Sequence, residues 1–307
     1  MLRISEICLR CLIVFSLAAC GPDAGYVAPT DRYDKGSINI SVDESFKPVI
    51  DSQVLVYEAK YPGVKLNVHY KPEAECLKDL GVDSVRMVIV TRRFTAEEKQ
   101  FMLDSLKVAP DQLTMAFDAI AVVVHPASKN YLFTMPELKQ ILKGNFKNNL
   151  IPVFDGLNAT STVRYIIDSV LRGDSLTGKA LAAKSSEEVI EYVSNHPEAV
   201  GFIGVSWIGD KDDAEQQRFL TKVKLAGIES VDLPGKYIQP VQANIYSGRY
   251  PMIRELVCIL KENYREGLGH GFKNFMTGEK GQLIFRRAYL VPSFMQFNVR
   301  SANLREK

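Results

Sequence analysis

The sequence predicts an α/β fold in two lobes, each a mixed sheet flanked by helices. Three observations predict it. Strand-period and helix-period segments alternate from about residue 37 onward. The run Ala119–Val124 is continuously apolar and Val85–Thr91 nearly so, interrupted by Arg86 and ending in Thr91, as in strands buried on both faces. The alternation then restarts beyond His125-Pro126, where proline ends ladder donation, so a second lobe begins there.

In order, Ile38–Val42 reads as a strand, Val49–Tyr61 as a helix, and Val64–Tyr70 as a strand with Val64, Leu66 and Val68 in period two. The helix Thr95–Leu106 opens on a threonine cap with Glu97 and Glu98 in its first turn, and Gln112–His125 is a long strand. The second set comprises helix Met135–Leu142, strand Ile151–Phe154, helices Thr162–Leu171 and Ser186–Ser194, and strand Val200–Ile203. The chain turns back near Tyr237–Tyr246 and closes with helices expected at Met252–Glu262, Leu268–Met276 and Lys280–Arg287. The boundaries expected are residues 37–125 with 240–307 for the first lobe and 126–239 for the second, with hinge crossings near Pro126 and Gln239.

The N-terminus is of another kind. Arg3 and Arg10 precede the apolar run Leu12–Ala19, which is too short to span a bilayer and reads as a signal-peptide core over residues 1–19. It ends in Leu17-Ala18-Ala19-Cys20, the order of a bacterial lipobox, so Cys20 is the expected lipidation site and the contact with membrane is through a lipid anchor, palmitate included. A plain secretory signal is the alternative. Residues 20–36 carry Gly, Pro and charge without apolar period, as a flexible tether does. Cys76 and Cys258 sit in apolar patterns read as helical; they are core filler, or a disulfide in an oxidising envelope.

Lys and Arg total 38 against 36 Asp and Glu, a net charge of +2, which provides no long-range field for nucleic acid. The histidines His69, His125, His196 and His270 show no metal-ligand spacing; Gly278-Glu279-Lys280-Gly281 lacks P-loop spacing; and no nucleophile elbow occurs. No metal, cofactor or catalytic residue is expected, and the chain reads as a binder, not an enzyme. The candidate chemistry lies in three turns at the carboxyl ends of strands, where open α/β sheets take their ligands. They are Asp43-Glu44-Ser45-Phe46, Thr91-Arg92-Arg93, and Asn158-Ala159-Thr160-Ser161. Their hydroxyls also serve as ordinary helix caps, while a strand-end guanidinium suits a bidentate clamp on phosphate or carboxylate.

The ordered set of segments resembles the PstS-like family of phosphate-binding components of ABC importers, within the type II periplasmic-binding-protein fold. The matching pieces include Gly36–Ile40 leading to Ser45-Phe46-Lys47-Pro48, Tyr61-Pro62-Gly63-Val64, Phe117–Pro126, Phe133–Leu138, Pro197–Phe202, Tyr250-Pro251-Met252 and Gly281–Pro292. The resemblance implies capture of a small anion, phosphate first, between two lobes on the periplasmic side of a bacterial cell envelope, with an ABC-type permease or another envelope complex as partner. It places the ligand at Ser45, Thr91, Arg92, Asn158, Thr160 and Ser161, with Arg92 supplying the positive charge. The family's aspartate after the third strand is replaced by Thr91-Arg92-Arg93, and its arginine before the Ser-Gly-Thr turn by Val153-Phe154-Asp155-Gly156. These departures admit sulfate, a carboxylate or a phosphorylated small molecule. They also support a different class of function, an interaction or signalling module whose cleft has degenerated.

Overall fold

The computed structural model describes residues 31–295, apart from 83, 108, 157, 159 and 211. Cys20, the signal stretch and residues 20–30 of the expected tether lie outside the described residues.

Period-two apolar positions make the first strands. Ile38, Ile40 and Val42 of β1 (Lys35–Asp43) are buried. Pro48 presets the first turn of α1 (Lys47–Lys60), and Val64 and Leu66 are buried from β2 (Gly63–Lys71). The short α2 (Glu73–Asp79) leads into β3 (Val85–Val90), buried on both faces from Met87 onward. A reciprocal capping box between Thr95 and Glu98 starts α3 (Ala96–Leu106), and β4 (Asp111–Val124) follows.

The next elements are β5 (Leu132–Phe133), α4 (Met135–Leu142) behind a Thr134/Glu137 capping box, β6 (Ile151–Phe154) and α5 (Ser161–Tyr165), which runs on as a π turn to Val170. Then come β7 (Leu181–Ala182), α6 (Ser186–Asn195), β8 (Ala199–Gly204), α7 (Ala214–Lys222), β9 (Lys224–Leu225), β10 (Gly227–Glu229) and β11 (Tyr237–Ile238). The chain returns through α8 (Gln242–Tyr246) to β12 (Ile253–Leu260), α9 (Leu268–Thr277), α10 (Glu279–Arg287) and β13 (Val291–Pro292).

The strands follow the order β2-β1-β3-β12-β4-β8-β6-β7. β1 is parallel to β2 and β3, β12 is antiparallel to β3 and β4, and beyond β4 the parallel pair β6–β8 continues. Both lobes are thus mixed sheets with helices on their faces, as expected. They share β4: it pairs with β12 as far as Ala119, opposite Ile253, and with β8 from Ile120, opposite Gly204. The exchange of partners falls earlier than Pro126, because the apolar run Ile120–Val124 is completed by β8 rather than by the first lobe.

Two other expectations are corrected. Residues Ile253–Leu260 form a central strand, not the helix expected over Met252–Glu262; the continuous apolar run Leu256–Leu260, with β-branched Val257 and Ile259, fits a strand buried on both faces. Residues 31–36, assigned to the tether, are held by the body: Arg86 pairs with Asp31 at 2.9 Å, the Leu268 N–H donates to Asp31 at 3.0 Å, and Tyr33 N–H donates to the Glu266 carbonyl. Cys76 and Cys258 are buried free thiols. They pack in separate clusters, Cys76 with Leu80, Val88 and Val90, and Cys258 with Ile40, Met87 and Ile89, on opposite faces of the same sheet.

Candidate functional site

Period two along β12 turns Arg254 and Glu255 to opposite faces. Glu255 reaches Thr114 and Arg93 outside, while Arg254 is 1% exposed. Such a guanidinium needs partners in every direction. Its Nε donates to Asp118 Oδ2 at 2.8 Å, and Asp118 is itself fully buried on β4. Its Nη1 donates to Ser161 Oγ at 3.0 Å and to Thr162 Oγ1 at 3.3 Å, both at the start of α5. The Phe46 ring lies 5.4 Å away, and an added Cβ on Gly204 would come within 3.0 Å of Nη2. A side chain there would also press on the Ser45 carbonyl, at 3.2 Å, so glycine at the end of β8 keeps the seat of Arg254 uncrowded.

The first turn, on the same lobe as Arg254, meets Ser161 across the cleft. Asp43 ends β1 and caps the following 3₁₀ turn, its Oδ1 accepting from the Ser45 N–H at 2.9 Å. Ser45 Oγ lies 3.2 Å from Ser161 Oγ, and Ser206 Oγ donates to the Ser45 carbonyl at 2.9 Å. Beside them, Glu44 accepts from Ser186 N–H and Oγ at the start of α6, and Ser186 Oγ also lies 3.4 Å from Asp155 Oδ2. Four atoms of this buried cluster find no hydrogen-bond partner among the described residues: Arg254 Nη2, Asp43 Oδ2, Asp118 Oδ1 and Asp155 Oδ1. One unmet donor and three unmet acceptors suit an occupant that is anionic and carries hydrogen-bond donors of its own.

The carboxyls respond to this enclosure. Burial, reinforced by the charge of Glu73 and opposed by Arg254, pushes Asp43 up to about 6. Burial and the neighbouring Asp155 push Glu44 up to about 8. Burial also raises Asp118 and Asp155, with Arg254 opposing both shifts.

A second set of contacts closes the cleft at its side. Arg164 on α5 donates to Glu73 Oε2 at 2.5 Å and to Thr91 Oγ1 at 2.7 Å, while Thr91 N–H and Oγ1 donate to Glu73 Oε1. Burial alone would raise Glu73, yet Arg164 and Thr91 hold it below the ordinary carboxylate range.

The expected site residues therefore fall in three places. Ser45 and Ser161 meet in the buried cluster. Thr91 joins the Glu73–Arg164 contact. Arg92, Asn158 and Thr160 line an adjoining pocket of about 330 Å³. Arg92 is not the cation of the cluster: both its terminal nitrogens donate to Glu98 at 2.7 Å, because α3 presents that carboxylate from its capping turn. Thr160 caps α5, its Oγ1 accepting from the Val163 N–H. Arg254, Asp118, Asp155 and Thr162 were not among the expected residues, and Asp43 and Glu44, although in the first candidate turn, had been given no ligand role. Asp118 had a visible signal, a lone carboxylate inside the apolar run Phe117–Val124.

Comparisons with known proteins agree with this architecture. A phosphate-binding protein PstS from Borreliella burgdorferi is 21% identical over 260 residues, covering 80% of this chain and 86% of the relative. A Clostridium perfringens structure with bound phosphate, assigned as a phosphate ABC transporter substrate-binding protein, superposes with a TM-score of 0.68 at 19% identity, covering 84% of this chain and 99% of that one. An ABC-type phosphate transport receptor from Vibrio cholerae gives 0.62 at 18% identity, covering 84% and 100%. At such identities the structural likeness establishes the fold. The model of the PBP superfamily domain matches residues 27–280, a span that holds Ser45, Asp118, Ser161 and Arg254, and the chain belongs to that family as a divergent, PstS-like member.

Proposed function

We propose that this chain is a lipid-anchored solute-binding protein of the bacterial cell envelope that captures phosphate, or a small anion bearing a phosphoryl group, between its lobes and delivers it to an ABC-type permease. The observation that carries this reading is Arg254, a buried guanidinium with a free nitrogen, flanked by hydroxyls from both lobes: Ser45 from the first and Ser161 and Thr162 from the second. In this reading Arg254 supplies the positive charge expected of Arg92. The unmet oxygens of Asp43, Asp118 and Asp155 favour an oxyanion that retains a proton, so they favour phosphate over sulfate, which has no hydrogen to donate near neutral pH. The names and ligands of the similar proteins support the same choice. The lipobox at Leu17–Cys20 supports the anchor and the periplasm-facing location, and a tethered binder of this fold needs a membrane partner to move its ligand onward.

Calorimetric titration of the full chain with phosphate and with sulfate tests the reading. Phosphate is expected to bind, sulfate much more weakly, and Ser161→Ala to weaken phosphate binding by about 1.5–3 kcal/mol, the range for a hydrogen bond to a charged group. A chain indifferent to phosphate sinks the proposal. That result would favour the second reading, an interaction module, for which a specific observation also speaks: Asp43 and Glu44 already hold the amides of Ser45 and Ser186.

A further inference from the structure

The pocket beside the anion cluster is larger than a bare phosphate ion requires. Its volume of about 330 Å³ is at the lower end of the range for organic-ligand sites. Its walls come from both lobes, with Ala74 and Leu77 on α2 facing Val163 and Ile167 on the α5 segment. Polar groups ring this apolar lining: Asn158, Thr160 and Asp168. The charged side chains at its edge are already matched, Arg92 with Glu98 and Arg164 with Glu73 and Asp168, so the pocket offers no cation for a second anionic group. It suits a neutral, partly apolar substituent with hydroxyls.

Two residues tie this pocket to the cluster. Thr160 lines it and directly precedes Ser161, the hydroxyl bonded to Arg254. Glu73 lines it too, and its charge acts on buried Asp43. Glu73 and Arg164, which line the pocket, are bonded to each other and to Thr91.

We infer that the captured molecule is a small phosphomonoester, its phosphoryl group held by Arg254, Ser45 and Ser161 and its hydroxylated carbon substituent seated between Ala74, Leu77, Val163 and Ile167. The inference rests on the reading of the cleft as a phosphoryl-capturing site and names the class of molecule it takes. Because the pocket has a wall on each lobe, the substituent helps hold the lobes together, and inorganic phosphate lacks that contribution.

The test titrates the full chain with inorganic phosphate, glycerol 3-phosphate and glucose 6-phosphate. At least one ester is expected to bind about tenfold or more tightly than inorganic phosphate, the scale on which filling a pocket of this kind changes affinity. Ala74→Leu and Ile167→Phe, each checked by thermal melting, fill the pocket without touching Arg254, Ser45 or Ser161. They are expected to weaken ester binding by about tenfold while inorganic phosphate changes by less than about twofold. Inorganic phosphate binding as tightly as both esters, or ester binding unaffected by either folded variant, overturns the inference and leaves phosphate capture standing. Failure of every phosphate compound to bind removes both.

Discussion

At the scale of single residues, a buried charge is defined by what surrounds it. Removing the guanidinium in Arg254→Ala strands Asp118, which is fully buried, and should cost about 3–5 kcal/mol of stability. Denaturant unfolding would measure this. Replacing both partners with apolar residues, as in Arg254→Met with Asp118→Leu, should recover most of the loss, since no uncompensated charge remains. The raised carboxyls set a pH dependence with a definite sign. Asp43 and Glu44 hold protons more tightly in the folded chain, near 6 and 8, than an unfolded chain would, so their contribution is complete at acid pH and is lost as pH rises through those values. The melting temperature should fall between roughly pH 5 and pH 8.5, and Glu44→Gln should flatten the upper part of that fall. Glu73 acts oppositely: with its carboxyl held low, its contribution is lost only as the solution becomes acidic. Ser45 and Ser161, which meet in the buried cluster, stood out in the sequence because hydroxyls at strand-to-helix turns are visible locally. The sequence hid Arg254, because Arg254-Glu255 resembles the polar face of a helix until the strand is recognised.

At the scale of elements, local signals decided which parts could be read. The Thr95/Glu98 and Thr134/Glu137 capping boxes bind reciprocally in the structure; the first was legible as a threonine cap with acidic residues in the first turn, the second only through the helix Met135–Leu142 that it starts. Thr134→Ala should destabilise the chain by about 1 kcal/mol in thermal or chemical unfolding. β1 and β2 were legible from their apolar periods and β3 and β4 from continuous apolar runs, whereas β12 was read as helix because the charged pair Arg254-Glu255 breaks the run that continues at Leu256–Leu260. α2 passed unread: it is short and enters from Pro72 without a side-chain cap. The seat of α6 on its sheet depends on Gly201, where an added Cβ would lie within 2.9 Å of Val123, Val189 and Val193. Gly201→Ala should therefore cost about 1–3 kcal/mol by overpacking, seen as a lower denaturant midpoint.

At the scale of the whole molecule, contacts that join the lobes govern how readily they part. Arg164 is bonded to both Glu73 and Thr91, and Glu44 to Ser186, so the cleft is shut by polar links with long sequence separation. Arg164→Ala leaves Glu73 without its guanidinium and should shift the unliganded chain toward an open form, with a larger radius of gyration by small-angle scattering. The two-lobed plan was legible because it rests on the order of many segments, while the point of exchange was displaced because Ala119–Val124 reads as one uninterrupted run. That continuity has a mechanical result. A ladder crossing from one lobe to the other on a single strand resists sliding and yields to twist, so any relative rotation leaves residues near Ala119 and Ile120 almost stationary. Displacement grows in proportion to the distance from that spine, which increases by about 4.8 Å with each strand outward, and it is greatest at the margins, β2 on one side and β7 on the other. Spectroscopic labels placed on those margins would register an angular change that labels along the spine could not.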